Sequence, residues 1–561
     1  MDAIKRVALF LILFDIAVGS FAQVRLEDKV SVLSPGFIGF NGRSTEGPSW
    51  DDPKFVELVR EMNPASFRYP AGSQANLWDW RTGNFIPESG KKTSFPFTLN
   101  QCVAGLPAGT QLIYVVNMAY PTPVTGISMR AEDAILASDV TLKLKIEDIL
   151  AAIDAFEKAG HRPDQIELGN EFYFKNEHAG VYGKNPKLYL THAKQIAATI
   201  KRHYPEMPVM VVATKNGTKG RDEWNNAVYA ALETDEDLSL LIDGVVQHHY
   251  VKEDYGMTEP VSDLNSLKRA VAEGWTYVTE QESSIAGVPA HMKLWLTEYG
   301  ATKKNMDGTW GAALRAVVMT LGWMRHPEKI ASVCWQHVTD DPNVIRKSTL
   351  QKGPVGVALG MMMNASKGMT QMRKLLFSNN QSLLPDSYIP ALHGVLFGNE
   401  SGKKELILVN LEETATEPFD LSSLFENSLL QEGISYSAEQ PYLADASLDA
   451  GIVAEPITLL TQIVLKPFSV TRLSFASGAT MIQQNPAVND KNLLFDPAIG
   501  MLRVLQPGAL SVFGSSGQIV YSANIQTSQW VDLSALASGF YYVRLRKKNG
   551  SDDVIRIALI L

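Results

Sequence analysis

The sequence predicts an α/β protein that consists of a (β/α)8, or TIM, barrel, a β-sandwich and a small all-β module at its C-terminus. Two observations predict the barrel. Short apolar segments alternate with helical patterns, and eight such segments occur within about 300 residues. The eight segments are "GFIGFNG" (36–42), "PASFRYPAG" (64–72), "TQLIYVVNM" (110–118), "QIELGNE" (165–171), "PVMVVAT" (208–214), "IDGVVQHHY" (242–250), "KLWLTEYG" (293–300) and "ASVCWQHV" (331–338).

Helical patterns fill the stretches between the apolar segments. One spans about residues 145–159 and stops at Gly160. Another begins at Asn185 and Pro186, an N-cap residue followed by proline at the first helical position. Continuous apolar strands that alternate with helices predict a parallel sheet buried on both faces. An open doubly wound sheet is the alternative, but no glycine-rich phosphate loop follows the first strand.

The N-terminus predicts export. Lys5 and Arg6 precede a short apolar run that ends in the small-residue pattern Ser20-Phe21-Ala22, so we assign residues 1–22 to a secretory signal peptide. An uncleaved membrane anchor is the alternative, but Asp15 interrupts the run. No later run reaches the ~20 apolar residues that a membrane-spanning helix needs. We therefore expect a secreted or cell-surface protein with no membrane-spanning segment in the mature chain.

The remaining domain assignments follow from a change in the sequence pattern, from alternating strands and helices to strands alone. We assign residues 30–345 to the barrel. Residues 365–476 predict a β-sandwich, because 393–413 has the pattern of a hairpin and 462–475 that of further strands. Segment 24–34 is a candidate additional strand of this sandwich.

The composition excludes several classes of protein. The chain has 561 residues, of which 45% are hydrophobic and 20% charged, as in a globular protein with a large core. A net charge of -9 argues against a nucleic-acid binder. Cys102 and Cys334 are too few for a disulfide scaffold, and they leave open either one disulfide or two free thiols.

Two glutamates end predicted barrel strands. Glu171 comes last on the fourth strand and Glu298 on the seventh, and the C-terminal ends of all barrel strands meet at one face. Two carboxylates across that opening can hydrolyse a glycosidic bond, since one donates a proton while the other attacks. A helix cap or salt bridge is the ordinary alternative for a single strand-end glutamate. Glu167 shares the face of Glu171 but lies deeper, where we expect a paired interior charge.

These motifs resemble a known group of enzymes. "GNE" (169–171) and "TEYG" (297–300) resemble the retaining glycoside hydrolases of clan A. "FRYPAGSQANLWDW" (67–80) resembles a segment of the α-L-arabinofuranosidase family and of the related β-glucuronidase/heparanase family, with Ala71 in place of a glycine. The resemblance covers about residues 30–476. It implies that Glu171 is the acid/base and Glu298 the nucleophile.

The same resemblance implies roles for other residues. Asn170 would bind the 2-hydroxyl of the sugar, Tyr250 would hold the nucleophile, and His248 would contact the substrate. Arg68 resembles a buried arginine near the nucleophile, where a cation would lower the pKa of Glu298. Asn117 is a weaker candidate for substrate binding, and Trp335 is either a floor beneath the sugar or plain core. The "HHY" motif could suggest zinc, but no third ligand has suitable spacing, so we expect neither a metal nor another cofactor.

The C-terminal region, residues 485–561, resembles the sorting domain of the type IX secretion system of Bacteroidetes. The motifs are "QNPAVNDKNLLF" (484–495), "GALSVFGSSGQIVYS" (508–522) and "VDLSALASGFYYVRLRKKNG" (531–550). An accessory β module is the alternative, because the chain lacks the usual final lysine. The resemblance implies that the secretion machinery is a partner.

The sequence as a whole predicts a secreted retaining glycoside hydrolase that is arabinofuranosidase-like and acts on polysaccharides or oligosaccharides. Alternatives within the clan are a uronic-acid-specific or an endo-acting hydrolase. A non-catalytic glycan-binding protein on a degenerate barrel is the alternative outside enzymes. The expected partner is a glycan, with no role for nucleic acid.

Overall fold

The computed structural model describes most of the chain after residue 23. The described residues are 24–43, 45, 47–120, 133–217, 220–253, 255–378, 380–421, 424, 428–444, 451–457, 462–477, 493–496, 501–513, 518–533, 535–536, 539–549 and 552–559. The predicted signal peptide, residues 1–22, lies outside them. The chain divides into two compact units, Met1–Phe425 with Leu429–Gly478, and Glu426–Ser428 with Ala479–Leu561.

The first unit contains a closed barrel of eight parallel strands, so the predicted fold is confirmed. Each strand pairs with the next along the chain, and the eighth pairs with the first. Every predicted apolar segment supplies one strand. The strands are β1 Ile38–Asn41, β2 Ser66–Tyr69, β3 Gln111–Val115, β4 Gln165–Leu168, β5 Val209–Val212, β6 Gly244–Val251, β7 Lys293–Ala301 and β8 Ile330–Trp335.

Helices surround the barrel and begin at residues suited to that position. Asn185 caps the helix Pro186–His203 by accepting a bond from the backbone N–H of Leu188, as the sequence predicts. The helix predicted at 145–159 begins earlier, at Asp139, because Ser138 caps it there. The other helices are Pro53–Met62, Leu99–Gly105, Asp133–Leu136, Asp222–Thr234, Glu236–Leu241, Leu264–Thr279, Glu282–Ala286, Trp310–Trp323 and Pro354–Ser366, with 3₁₀ turns at Ser73–Leu77, Pro87–Ser89 and Gly180–Tyr182.

The barrel interior is filled by side chains rather than open. Ile113, Met210, Val246, Trp295 and Cys334 pack together inside it. The indole N–H of Trp295 donates to Gln165 Oε1 at 2.6 Å, which satisfies its one donor. Cys334 and Cys102 are both buried free thiols, so the question of a disulfide is settled.

An antiparallel sheet follows the barrel within the first unit. Its main hairpin is Leu392–Gly398 with Lys404–Asn410, and Val24–Leu26 pairs with Gln371–Phe377, so the N-terminal segment does add a strand. The indole N–H of Trp310, on a barrel helix, donates to the carbonyl of Phe468 at 2.6 Å and ties barrel and sheet together. The other strands of this sheet are Ser31–Val32, Ser428–Ala438, Ile452–Pro456 and Ser469–Ser477; two-stranded pairs elsewhere are Trp78–Asp79 with Asn84–Phe85, Ile345–Arg346 with Gln351–Lys352, and Phe419–Asp420 with Gln462–Ile463.

Strands are the only regular secondary structure among the described residues of the second unit. Its core includes Leu510, Val512, Val543 and Leu545, which face inward at alternate positions of paired strands. Across the described parts of both units, no helix has the length and apolar character needed to cross a membrane. The strands of this unit are Leu493–Asp496, Met501–Val504, Gly508–Phe513, Ile519–Ile525, Gln529–Asp532, Gly539–Lys547 and Asp552–Leu559.

Candidate active site

Arg68, on β2, is the centre of the polar cluster at the barrel mouth. Its side chain is fully buried, and all five of its N–H groups donate hydrogen bonds. Burial opposes the charged guanidinium, but Glu167 and Glu298 outweigh that effect and raise the pKa of Arg68 above its ordinary value. The five acceptors are Glu167 Oε2 at 2.8 Å, Glu167 Oε1 at 2.5 Å, Glu298 Oε1 at 2.6 Å, Asn170 Oδ1 at 2.7 Å and Asn41 Oδ1 at 3.1 Å.

Glu298 lies within β7, Lys293–Ala301, and does not end that strand as predicted. It is held in its charged form. Its Oε1 accepts from Arg68, and its Oε2 accepts from the hydroxyl of Tyr250 at 2.5 Å. Burial alone would raise the pKa of Glu298. The positive charges of His248 and Arg68, with the hydrogen bonds from Tyr250 and Arg68, instead lower it to about 2. Glu298 is therefore an ionised carboxylate over the ordinary pH range.

Glu171 lies beyond the end of its strand, which corrects the expectation that it ends β4 with strand alternation. β4 stops at Leu168, and the chain then turns through Gly169 and Glu171, whose φ angles are 83° and 51°. A Cβ at position 169 would lie 2.1 Å from the Phe172 ring, so only glycine fits there. Glu171 thus reaches the site from a left-handed turn rather than from a pleated strand, and its Oε1 lies 3.0 Å from His248 Nδ1.

His248, on β6, lies between the two glutamates. Its Nδ1 is 3.0 Å from Glu171 Oε1 and 3.7 Å from Glu298 Oε2, and its Nε2 is 3.2 Å from Thr297 Oγ1. Burial opposes a charge on the imidazole, but Glu298 and Glu171 raise the pKa of His248 above its ordinary value. The prediction that His248 contacts substrate gains no support from these bonds, because both ring nitrogens already face protein groups.

A second donor also holds Glu171. The hydroxyl of Tyr173 donates to Glu171 Oε1 at 2.6 Å, and His248 approaches the same oxygen. Within the described residues no group bonds to Oε2. The apolar sequence "EFYF" gives no indication that Tyr173 has a polar role, so sequence reasoning missed it.

The side-chain oxygen of Asn170 is hydrogen-bonded, whereas its side-chain nitrogen has no partner among the described residues. Its Oδ1 accepts from Arg68, and Asn76 exchanges two hydrogen bonds with its backbone. Its Nδ2 is buried and has no partner among the described residues, so it has a donor to spare for a ligand. Asn76 was not predicted, although it lies within the segment "GSQANLWDW" that carries the family resemblance.

The two remaining predicted residues have structural contacts. The amide of Asn117 donates to the carbonyls of Trp78 and Tyr120 and accepts from the N–H of Tyr120, so it braces a loop; its role in substrate binding stays a prediction. Trp335 is 3% exposed and packs edge-on against Tyr299, with ring centres 5.4 Å apart. Its environment is that of the core. Within the described parts of the chain, no group of three or more histidine, cysteine, aspartate or glutamate residues could hold a metal ion.

A comparison with protein families identifies the C-terminal region. Residues 485–557 match the family model of the secretion system C-terminal sorting domain. The predicted sorting tail is thus confirmed, and the chain is a secreted or cell-surface protein. A comparison with curated proteins finds no match.

Solved structures with the same fold include glycoside hydrolases. An α-L-arabinofuranosidase from Thermotoga maritima has a TM-score of 0.56 at 16% identity, covering 81% of this chain and 99% of that chain. A family 51 α-L-arabinofuranosidase from Bifidobacterium longum has a TM-score of 0.56 at 14% identity, with 81% and 99% covered. A 4-O-α-L-rhamnosyl-β-D-glucuronidase from Fusarium oxysporum has a TM-score of 0.51 at 11% identity, with 81% and 100% covered. The similarity confirms the predicted fold of this chain.

Arg68→Met tests whether the buried cation holds the cluster together. The substitution leaves Glu167 and Glu298 buried without their counter-ion, so we expect the free energy of unfolding at pH 7 to fall by about 3–5 kcal/mol. The loss should shrink at lower pH, because Glu298 without Arg68 takes up a proton more readily. Denaturant titrations at several pH values measure both effects. Arg315→Met is the control, since Arg315 is also buried but forms no ion pair with any described residue; an equal loss there would contradict a special role for Arg68.

Tyr250→Phe tests the bond to Glu298. We expect turnover to fall roughly 10- to 100-fold, because Glu298 loses a donor that orients it, while thermal stability stays nearly unchanged. Tyr255→Phe is the matched control, since the Tyr255 hydroxyl bonds to Glu280 at 2.6 Å in the same manner. Steady-state kinetics of the wild type, Tyr250→Phe and Tyr255→Phe measure the effect on turnover. An unchanged rate in Tyr250→Phe would remove this residue from the site.

Proposed function

We propose that this chain is a retaining glycoside hydrolase, arabinofuranosidase-like, that cleaves glycosidic bonds in polysaccharides or oligosaccharides outside the cell. The observation that carries the proposal is the position of His248 between Glu171 and Glu298. Its distances of 3.0 and 3.7 Å limit the separation of the two facing carboxylate oxygens to at most about 6.7 Å. A limit of about 6.7 Å admits the separation of about 5–5.5 Å that retaining enzymes need, and it excludes most of the range of about 6.5–9.5 Å that inverting enzymes need.

Glu298 is the nucleophile in this proposal. The low pKa of its carboxyl, about 2, keeps it ionised, and bonds from Arg68 and Tyr250 fix its orientation. It attacks the anomeric carbon while the bond to the leaving oxygen breaks, which forms a covalent glycosyl-enzyme. The pKa of Tyr250 is raised well above its ordinary value by burial and by the charge of Glu298, so its hydroxyl keeps the proton that it donates.

Glu171 is the acid/base in this proposal. Tyr173 and His248 hold its Oε1, so Oε2 is the oxygen that transfers the proton. In the first step it protonates the leaving oxygen, and in the second it takes a proton from the water that hydrolyses the intermediate. The spare donor of Asn170 lies beside these groups and suits the 2-hydroxyl of the sugar, a contact that strengthens in the transition state.

A non-catalytic glycan-binding protein accounts less well for these contacts. Binding a neutral sugar does not require a buried carboxylate that two cations and a tyrosine hold in its charged form. Such an arrangement costs desolvation and is typical of catalytic sites, where perturbed pKa values cluster.

The two roles can be separated with azide. On the aryl glycoside that the wild type turns over best in a panel of nitrophenyl glycosides, Glu298→Ala should lose nearly all activity. Glu171→Ala should still be glycosylated, because a nitrophenolate leaves without a proton. Added azide should then accelerate Glu171→Ala by replacing the water that Glu171 activates, and should yield a glycosyl azide with the configuration of the substrate.

Glu280→Ala is the control, because Glu280 also accepts a tyrosine hydroxyl but lies outside the pair. Rescue of Glu298→Ala instead of Glu171→Ala would show that the two roles are exchanged. No turnover of any panel glycoside by the wild type would contradict hydrolase function.

A further inference from the structure

Arg221 lies near the proposed acid/base and pairs with no anionic side chain in the described part of the chain. It follows β5 and precedes the helix Asp222–Thr234. Its guanidinium carbon is 4.9 Å from the ring centre of Tyr173 and 4.2 Å from that of Phe174. Its side chain makes no ion pair and no hydrogen bond with any residue that the structure describes. The neighbouring carboxylate of Asp222 accepts from the N–H of Gly217.

The position of Arg221 relative to Glu171 follows from Tyr173. The Tyr173 hydroxyl donates to Glu171 Oε1 at 2.6 Å, while Arg221 stacks on the ring of the same residue. Arg221 is therefore one aromatic ring away from the acid/base. A leaving group must contact Glu171, because Glu171 supplies the proton to the leaving oxygen. A leaving group that extends from Glu171 over the Tyr173 ring would therefore reach Arg221.

The stacking prepares Arg221 to bind a carboxylate. Contact with two ring faces orients the guanidinium plane and reduces the side-chain entropy that binding would otherwise cost. The N–H groups at the edge of that plane match the two oxygens of a carboxylate and can bind both at once. Neutral sugar hydroxyls do not offer this paired geometry or the opposite charge.

We infer that Arg221 selects a leaving group that carries a carboxylate, such as a uronic acid residue on the reducing side of the scissile bond. The inference rests on the proposed function and adds to it the chemical class of the leaving group. Arg221 is then a specificity-determining residue of the leaving-group subsite. Tyr173 has two separate roles in this subsite. Its hydroxyl positions Glu171, and its ring positions Arg221.

A matched pair of substrates tests the inference. Both are aryl glycosides with the sugar that the nitrophenyl panel identifies; one has a 4-carboxyphenyl leaving group, and the other has its neutral methyl ester. The measured quantity is the ratio of kcat/KM for the acid to kcat/KM for the ester. We expect Arg221→Gln to lower this ratio about 10- to 100-fold, the loss of one charge-assisted hydrogen-bond pair, and mainly through KM.

Two further variants separate charge recognition from positioning. Arg325→Gln is the control, because Arg325 also lies over an aromatic ring, the indole of Trp275 at 5.9 Å, yet pairs with Glu282; it should keep the wild-type ratio. Tyr173→Phe keeps the ring and should also keep the ratio. Its kcat should fall alike for both substrates, because Glu171 loses a donor that positions it.

The outcomes distinguish the inference from the function on which it rests. A ratio that Arg221→Gln leaves at the wild-type value contradicts the anionic subsite while the enzyme remains a hydrolase. The same fall in Arg325→Gln as in Arg221→Gln also contradicts it. A wild-type protein that cleaves neither aryl glycoside nor any nitrophenyl glycoside contradicts the proposed function itself, and the inference falls with it.

Discussion

The buried guanidinium of Arg68 is the constraint on which the barrel mouth depends. A fully buried arginine is stable only when its charge is balanced and each N–H finds an acceptor. Arg68 meets both conditions through side chains of β1, β4 and β7 and of the loop after β4, so it fixes the relative positions of those elements. Glu298 and Asn170 consequently reach the opening in set orientations rather than as mobile side chains.

Charges of opposite sign follow one another across the mouth. Glu167 balances Arg68 from below, Arg68 and His248 flank Glu298, and His248 also faces Glu171. The pKa of Glu298 is lowered, so its contribution to stability is complete above its ordinary value of 4.5 and is lost as the pH falls toward about 2. The pKa of His248 is raised, so its contribution is complete below 6.5 and is lost as the pH rises through the raised value. The contributions of Glu298 and His248 to stability are therefore both complete only between about pH 4.5 and 6.5.

Much of this arrangement can be predicted from the sequence. The eight apolar segments give the barrel strands, and the polar residues that interrupt them near their C-terminal ends include Arg68, Glu298 and Tyr250. What could not be predicted depends on the path of loops and on strand register. Asn117 is such a case, because the partners of its amide lie on a loop whose course no local pattern specifies. His248 meets both glutamates because β6 and β7 place it opposite Glu298.

The most direct measurement of the central claim, that Glu171 and Glu298 act as a pair at retaining distance, is the anomeric configuration of the first product. Proton NMR during hydrolysis by the wild-type enzyme records that configuration before mutarotation. Two successive displacements at one carbon restore the starting configuration, so the first-formed sugar should have the configuration of the substrate. A first product of inverted configuration would contradict a covalent intermediate on Glu298 and, with it, the roles assigned to both glutamates.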